Sequence, residues 1–207
     1  PEDMADFIDF ATGTDEQNAW VKKRIEMGHP APFKLPFIQF GNEEKVNDAY
    51  AARFMAMAPG VWAKSPDVIL IVGDFDYKDP VTDPYHLTGT AGGITTLAPH
   101  KAMLDLAAAN GREIWFDIHI WSGRPNDPVN FMDVAITLFD QLQAICPDAK
   151  FRLPCFELNA NEHDLHRALS NAYAINRGER LGYIFPIITS ANALQVDGQN
   201  DNGWDQG

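Results

Sequence analysis

Val68–Val72 (Val-Ile-Leu-Ile-Val) is an unbroken apolar run, bounded by Pro66-Asp67 before it and Gly73 after it. Five consecutive apolar residues leave no polar face. A strand built from them must be covered on both sides, as in a parallel sheet flanked by helices. The rest of the chain obeys the same constraint, because short apolar runs alternate with stretches of helical periodicity. Leu35–Phe40, Glu113–His119, Phe151–Phe156 and Gly182–Ile188 read as further strands, with Pro154 an irregularity inside the fourth of the five. Asn47–Ala63, Lys101–Asn110, Val129–Ile145 and Glu162–Arg177 read as the helices between them. In the first of these helices Tyr50, Phe54 and Met57 share one face, and Pro59 is expected to kink or end it. Gly111 and Gly178 read as stops for the second and fourth. Trp20–Met27 reads as a helix ending at Gly28, and Met4–Phe10 as a short helix or strand. Strand-helix alternation of this kind requires crossover connections, so the chain is expected to be α/β with five parallel strands.

Composition narrows the function classes. The 207 residues carry 16 basic against 29 acidic side chains, a formal net charge of −13. That balance repels phosphate backbones and argues against nucleic acid as a partner. No apolar run reaches the 18 residues a membrane helix needs, so no membrane partner is expected. Cys146 and Cys155 are too few for a disulfide scaffold; they could make one bridge, but read rather as buried thiols. No signal-peptide pattern opens the chain, and both ends read as cut rather than finished. Asp74–Pro99, rich in Gly, Thr, Asp and Pro, is too long for a plain connection and reads as a functional loop over a site.

Two carboxylates stand where α/β folds build their sites, at the carboxyl ends of strands. Glu43 follows Gly41-Asn42 after the first strand, and Glu157 lies in Cys155-Phe156-Glu157-Leu158-Asn159. Two such groups brought together could flank a glycosidic bond, one donating a proton and the other attacking or activating water. The bland alternative is that each glutamate caps the helix that follows it. Asn42 could hold a sugar hydroxyl or serve as a turn residue. His119 could orient a neighbouring carboxylate or be a satisfied core histidine. Trp121 could stack on a sugar face or pack in the core. Trp62 and Trp115 read as core aromatics, and Trp204 as a possible wall of a binding cleft. Asn159 follows Glu157 closely, and Asn161 reads as the N-cap of the next helix. Glu162, His163 and His166 have some helical spacing but no zinc pattern, so neither a metal nor another cofactor is expected. Gly89–Gly93 lacks the strand-to-helix context of a phosphate loop, and no Gly-x-Ser-x-Gly occurs.

In order along the chain, several segments resemble glycoside hydrolase family 51, which holds α-L-arabinofuranosidases and some endo-β-1,4-glucanases. Leu35-Pro36-Phe37-Ile38-Gln39-Phe40-Gly41-Asn42-Glu43 is similar to the fourth-strand segment of that family, and Ala5–Phe10 with Gly28–Phe33 to what precedes it. Phe116-Asp117-Ile118-His119-Ile120-Trp121 resembles the sixth strand, although many arabinofuranosidases have a tyrosine near the place of Trp121. Phe156-Glu157-Leu158-Asn159-Ala160, with Arg167-Ala168-Leu169 and Asn176–Arg180, resembles the seventh strand and its helix. Ser190–Leu194 resembles the region after the eighth. The resemblance implies a partial (β/α)8 barrel, roughly strands 4 to 8, with residues 1–207 a catalytic-barrel piece expected to be incomplete at the N-terminus and open to being so at the C-terminus. It implies a retaining hydrolase of plant cell-wall polysaccharide, most simply one releasing arabinofuranosyl groups. Glu43 would be the acid/base and Glu157 the nucleophile. Asn42 would contact the sugar 2-hydroxyl, with His119 and Trp121 in the pocket around the nucleophile, and no cofactor would be needed. Asn159 and Trp204 are further candidates for contact with substrate. Five strands cannot close an eight-stranded barrel, so the rest of the same protein or a complementing chain is expected as a partner. Endo-acting cleavage of β-1,4-glucan or xylan on the same two glutamates, and sugar binding without turnover, are the rival readings.

Overall fold

The apolar run forms β2 (Ile69–Val72), and Leu70, Ile71 and Val72 are buried. A computed structural model describes residues 2–90, 92–122, 131–160 and 165–190. β1 (Phe37–Phe40) pairs with β2 in parallel on one side, Phe37 opposite Ile69 and Phe40 opposite Val72. β3 (Glu113–Phe116) pairs with β2 in parallel on the other, and β5 (Lys150–Arg152) extends the order to β1-β2-β3-β5. A second parallel sheet has the order β4-β6-β7, made of His119–Ser122, Cys155–Ala160 and Ile188–Ser190.

The two sheets are halves of one strand array. β3 runs into β4 across Asp117-Ile118, and β5 into β6 across Leu153-Pro154. Pro154 has no N–H to give to a ladder, so its strand breaks there. The break is bridged by the Ile118 N–H, which donates to the Pro154 carbonyl at 3.0 Å. Counting each broken strand once gives the five expected strand positions, in sequential order and all parallel. The last differs from expectation. Gly182–Ile188 was expected to be a strand, but Leu181–Ile184 is a turn and β7 begins only at Ile188. Ile184 and Phe185 are apolar because they are buried beneath that turn, and Pro186 interrupts any ladder before β7.

Helices α1 (Glu2–Thr12) and α2 (Ala19–Glu26) precede β1, and α3 (Asp48–Lys64), α4 (Ala98–Ala109), α5 (Phe131–Ile145) and α6 (Leu165–Glu179) follow strands in turn. Each of α3 to α6 packs against the next, an arc of helices outside the strands. Asn47 caps α3, its side chain accepting the Tyr50 N–H at 3.0 Å. Pro59 does not end that helix, which continues to Lys64. The surrounding Ala58, Val61 and Trp62 are buried, and their packing outweighs one missing hydrogen bond. Gly178 likewise does not stop α6. It lies in the last turn of the helix, where a Cβ would sit 2.0 Å from Ile188 Cδ1, so α6 and β7 leave no room for a side chain there. Cys146 and Cys155 are free buried thiols, and Trp62 and Trp115 are core aromatics, as the sequence implied. No helix among the described residues is long and apolar enough to cross a membrane. Among the described strands β1 pairs only with β2. Beside its other edge lies a cavity of about 260 Å³ lined by Met4, Gln39, Gly41, Glu44, Tyr50 and Phe54.

Candidate active site

The turn after β1 carries the first glutamate in an unusual backbone state. Gly41 has φ +87° and Glu43 has φ +51°, the only non-glycine residue at positive φ among the described residues. A left-handed residue with a Cβ costs roughly 1–2 kcal/mol. The surroundings hold it there. The Glu44 N–H donates to the Gly73 carbonyl at 2.8 Å. Gly73 in turn packs so closely that a Cβ on it would lie 2.2 Å from the Gly41 carbonyl oxygen. Because Asn47 caps α3, the Glu43 carboxylate is not spent on that helix.

The second glutamate comes from a strand rather than from beyond one. β6 extends to Ala160, so Glu157 lies within it, directly opposite His119 of β4. Trp121 and Asn159 form the pair two residues further on. Period-two alternation puts His119, Trp121, Glu157 and Asn159 on one face of the sheet. His119 is the junction of the group. Its Nδ1 is 2.9 Å from Glu43 Oε1 and 3.7 Å from Glu157 Oε2, and its ring is fully buried while each carboxylate is about one third exposed. One ligand-type atom from each of the three lies within 4.8 Å of the others. The two carboxylates are thus face to face at a partly open surface, with the imidazole beneath them. Three such atoms are also near enough to share a divalent cation, but an imidazole already hydrogen-bonded through Nδ1 to Glu43 is better described as the link between two acids.

Burial pushes the His119 pKa down. The adjacent Asp117 carboxylate, then the charge of Glu157 and the hydrogen bond to Glu43, outweigh it, so the net shift is upward. Asp117 is fully buried, with Oδ2 3.4 Å from His119 Nε2. The same oxygen accepts from Gln39 Nε2 at 3.1 Å, and Oδ1 accepts the Phe156 N–H at 2.9 Å. Its own N–H donates to the Val72 carbonyl at 2.8 Å. One residue thereby ties β1, β2 and β6 together behind His119, at the gap between β3 and β4.

The long loop reaches the site at its start. Phe75 meets the His119 ring edge-on at 5.9 Å between centroids, and Asp76, beside it, is buried. Burial raises the Asp76 pKa; Lys78 and His119 oppose that, and Glu43 adds to it. Further along it, Tyr77, Val81, Leu87, Ile94 and Leu97 are buried, so the described part of the loop belongs to the core rather than to a free cover.

The expected site residues Glu43, His119 and Glu157 therefore converge. Trp121 and Asn159 stand in register beside them, half-buried and buried respectively, and Asn42 is exposed on the same turn as Glu43. Trp204, Asn161, Glu162 and His163 lie outside the described residues. Asp117, Gln39, Phe75 and Asp76 were not anticipated. Asp117 had a usable signal, an acid inside the apolar run Ile114–Ile120, where a buried charge needs partners.

The fold is a partial (β/α)8 barrel, and its paired carboxylates stand at the carboxyl-end side of parallel strands. A family model described as the alpha-L-arabinofuranosidase 1 domain matches residues 1–128, and the chain belongs to that family, as its family 51 resemblance implied. That match contains Asn42, Glu43, His119 and Trp121 and ends before Glu157. An extracellular exo-alpha-L-arabinofuranosidase of Streptomyces chartreusis is 39% identical over 70 residues, 34% of this chain and 8% of that protein. Alpha-L-arabinofuranosidase 2 of Arabidopsis thaliana is 31% identical over 91 residues, 42% of this chain and 13% of that protein. The chain thus matches only a small part of the length of these relatives. Among solved structures, an arabinose-bound GH51 α-L-arabinofuranosidase aligns with TM-score 0.56 and 20% identity, covering 92% of this chain and 27% of that one. The GH51 arabinofuranosidase of Xanthomonas axonopodis pv. citri aligns with TM-score 0.51 and 13% identity, covering 92% and 43%. Likeness at these identities speaks for the fold alone.

Proposed function

We propose that the chain is the C-terminal part of the catalytic barrel of a retaining glycoside hydrolase that releases α-L-arabinofuranosyl groups from plant cell-wall polysaccharide. The observation that carries the reading is the approach of Glu43 and Glu157 within 4.8 Å through His119. Retaining glycosidases hold their two carboxyl groups about 5–5.5 Å apart, whereas inverting ones leave about 6.5–9.5 Å for a water. Glu157 attacks the anomeric carbon and forms the glycosyl-enzyme ester, while Glu43 gives a proton to the departing oxygen. Glu43 then takes a proton from water as it cleaves that ester. His119 holds both carboxylates from below, and Asp117 fixes the imidazole. Asn42 and Asn159 bind sugar hydroxyls, and the Trp121 ring packs on the sugar. Neither step needs a metal or organic cofactor. The five strand positions among the described residues leave the barrel open beside β1, and further chain of the same protein completes it.

The test is sugar release by the full-length protein from arabinoxylan and from soluble β-glucan, measured side by side. Free arabinose, reduced at least about a thousandfold by Glu157→Gln and by Glu43→Gln, is the expected result. Shortened glucan chains without arabinose would replace the substrate assignment. Undiminished turnover in Glu157→Gln would remove the mechanism.

A further inference from the structure

Behind the two glutamates a second polar cluster is sealed inside the fold. Asp74, which follows β2, and His100, in the first turn of α4, are 2% and 0% exposed, and Tyr77 lies between them at 6%. His100 Nε2 is 2.7 Å from Asp74 Oδ2, the Tyr77 hydroxyl donates to that oxygen at 2.9 Å, and the hydroxyl is 3.1 Å from His100 Nε2. The other Asp74 oxygen accepts the Phe75 N–H at 2.8 Å. His100 Nδ1 is buried with no hydrogen-bond partner, so the ring's polar anchoring comes from this cluster. Three buried polar side chains cost more than an apolar core of the same volume, and such a network serves chiefly to fix one geometry.

The geometry it fixes is that of the site. Gly73, next to Asp74, accepts the Glu44 N–H and leaves no room for a Cβ against Gly41 and Asn42. Phe75, on the other side of Asp74, lies against the ring of His119, which holds Glu43. The His100 ring also packs on Phe116, 5.1 Å between centroids, at the end of the strand that leads to Asp117. A shift of Asp74 would therefore reach Glu43 twice, through its backbone and through its imidazole partner. Burial and the Asp74 charge push the Tyr77 pKa well up, so its hydroxyl remains a donor throughout the working range.

We propose that Asp74, Tyr77 and His100 form a clasp that positions Glu43 for proton transfer to the leaving oxygen, acting through Gly73 and Phe75. These are positioning residues, and the proposal rests on the reading of Glu43 as the acid. A clasp that only stabilised the fold would affect all substrates alike. A clasp that aims the acid matters in proportion to how much the leaving group needs a proton.

The experiment uses the full-length protein and two α-L-arabinofuranosides, one with an alkyl alcohol as leaving group and one with 2,4-dinitrophenolate, which departs without protonation. Asp74→Asn is expected to lower kcat/KM about 100-fold on the alkyl glycoside and less than about tenfold on the aryl one, in kcat rather than KM. Tyr77→Phe should show the same asymmetry at smaller size, about threefold. Equal losses on both substrates would overturn the proposal. If Asp74→Asn fails to fold, Tyr77→Phe decides, and an unchanged ratio of the two rates overturns it as well. Glu43→Gln on the same pair separates the two claims. No asymmetry there removes Glu43 as the acid, whereas asymmetry there without it in the clasp variants removes the clasp alone.

Discussion

Glu43 and His119 show how individual residues are bent to a task. Glu43 keeps a backbone conformation that glycine would adopt without strain, and strain of this kind persists only where neighbours over-determine it. His119 is fully buried yet holds its proton more tightly than a free histidine, because carboxylates face it on both sides. The consequence for stability has a definite sign. The folded pKa lies above the unfolded value of about 6.5, so the contribution is whole below about pH 6.5 and fades as pH rises through the raised value. The urea midpoint of the wild type should therefore exceed that of His119→Gln by a margin that is full below about pH 6.5 and shrinks as pH rises above it. A margin that is constant or grows with pH would contradict the charge network described.

At the scale of elements, buried polar groups do what apolar packing does elsewhere. Arg24 of α2 is buried, and its guanidinium donates to the carbonyls of His29 at 3.0 Å, Phe10 at 2.8 Å, Gly13 at 2.9 Å and Pro30 at 3.3 Å. It is the knot joining α1, α2 and the turn that leads to β1. Arg24→Met would leave those acceptors dry, and a loss of about 3 kcal/mol is expected in urea unfolding. A loss below about 1 kcal/mol would mean that water replaces the guanidinium without strain. The elements themselves were largely legible in the sequence. The run Val68–Val72 announced a strand covered on both faces, and Asn47 announced the start of α3. Pro59 and Gly178 misled, because local propensity there yields to packing by Ala58, Trp62 and Ile188. Glu43, His119 and Glu157 could be named from strand-end position and resemblance. Asp117, an acid in an apolar run, announced only that it needs partners; which partners, Gln39 among them, depends on a strand break and on a pairing between segments distant in sequence. The clasp of Asp74, Tyr77 and His100 was hidden for the same reason, since the loop gave no sign of which of its residues would be buried.

For the whole molecule, the central claim is that an arc of five parallel strand positions brings a glutamate after its first strand and one in its fourth position into one catalytic pair. The most direct measurement is to trap the glycosyl-enzyme of the full-length protein with an activated 2-deoxy-2-fluoro-arabinofuranoside and map the labelled residue by peptide mass spectrometry. A retaining mechanism on this pair predicts a single ester on Glu157, formed also in Glu43→Gln, where the activated leaving group needs no acid. Turnover without any covalent adduct, or an adduct on another residue, would contradict the account.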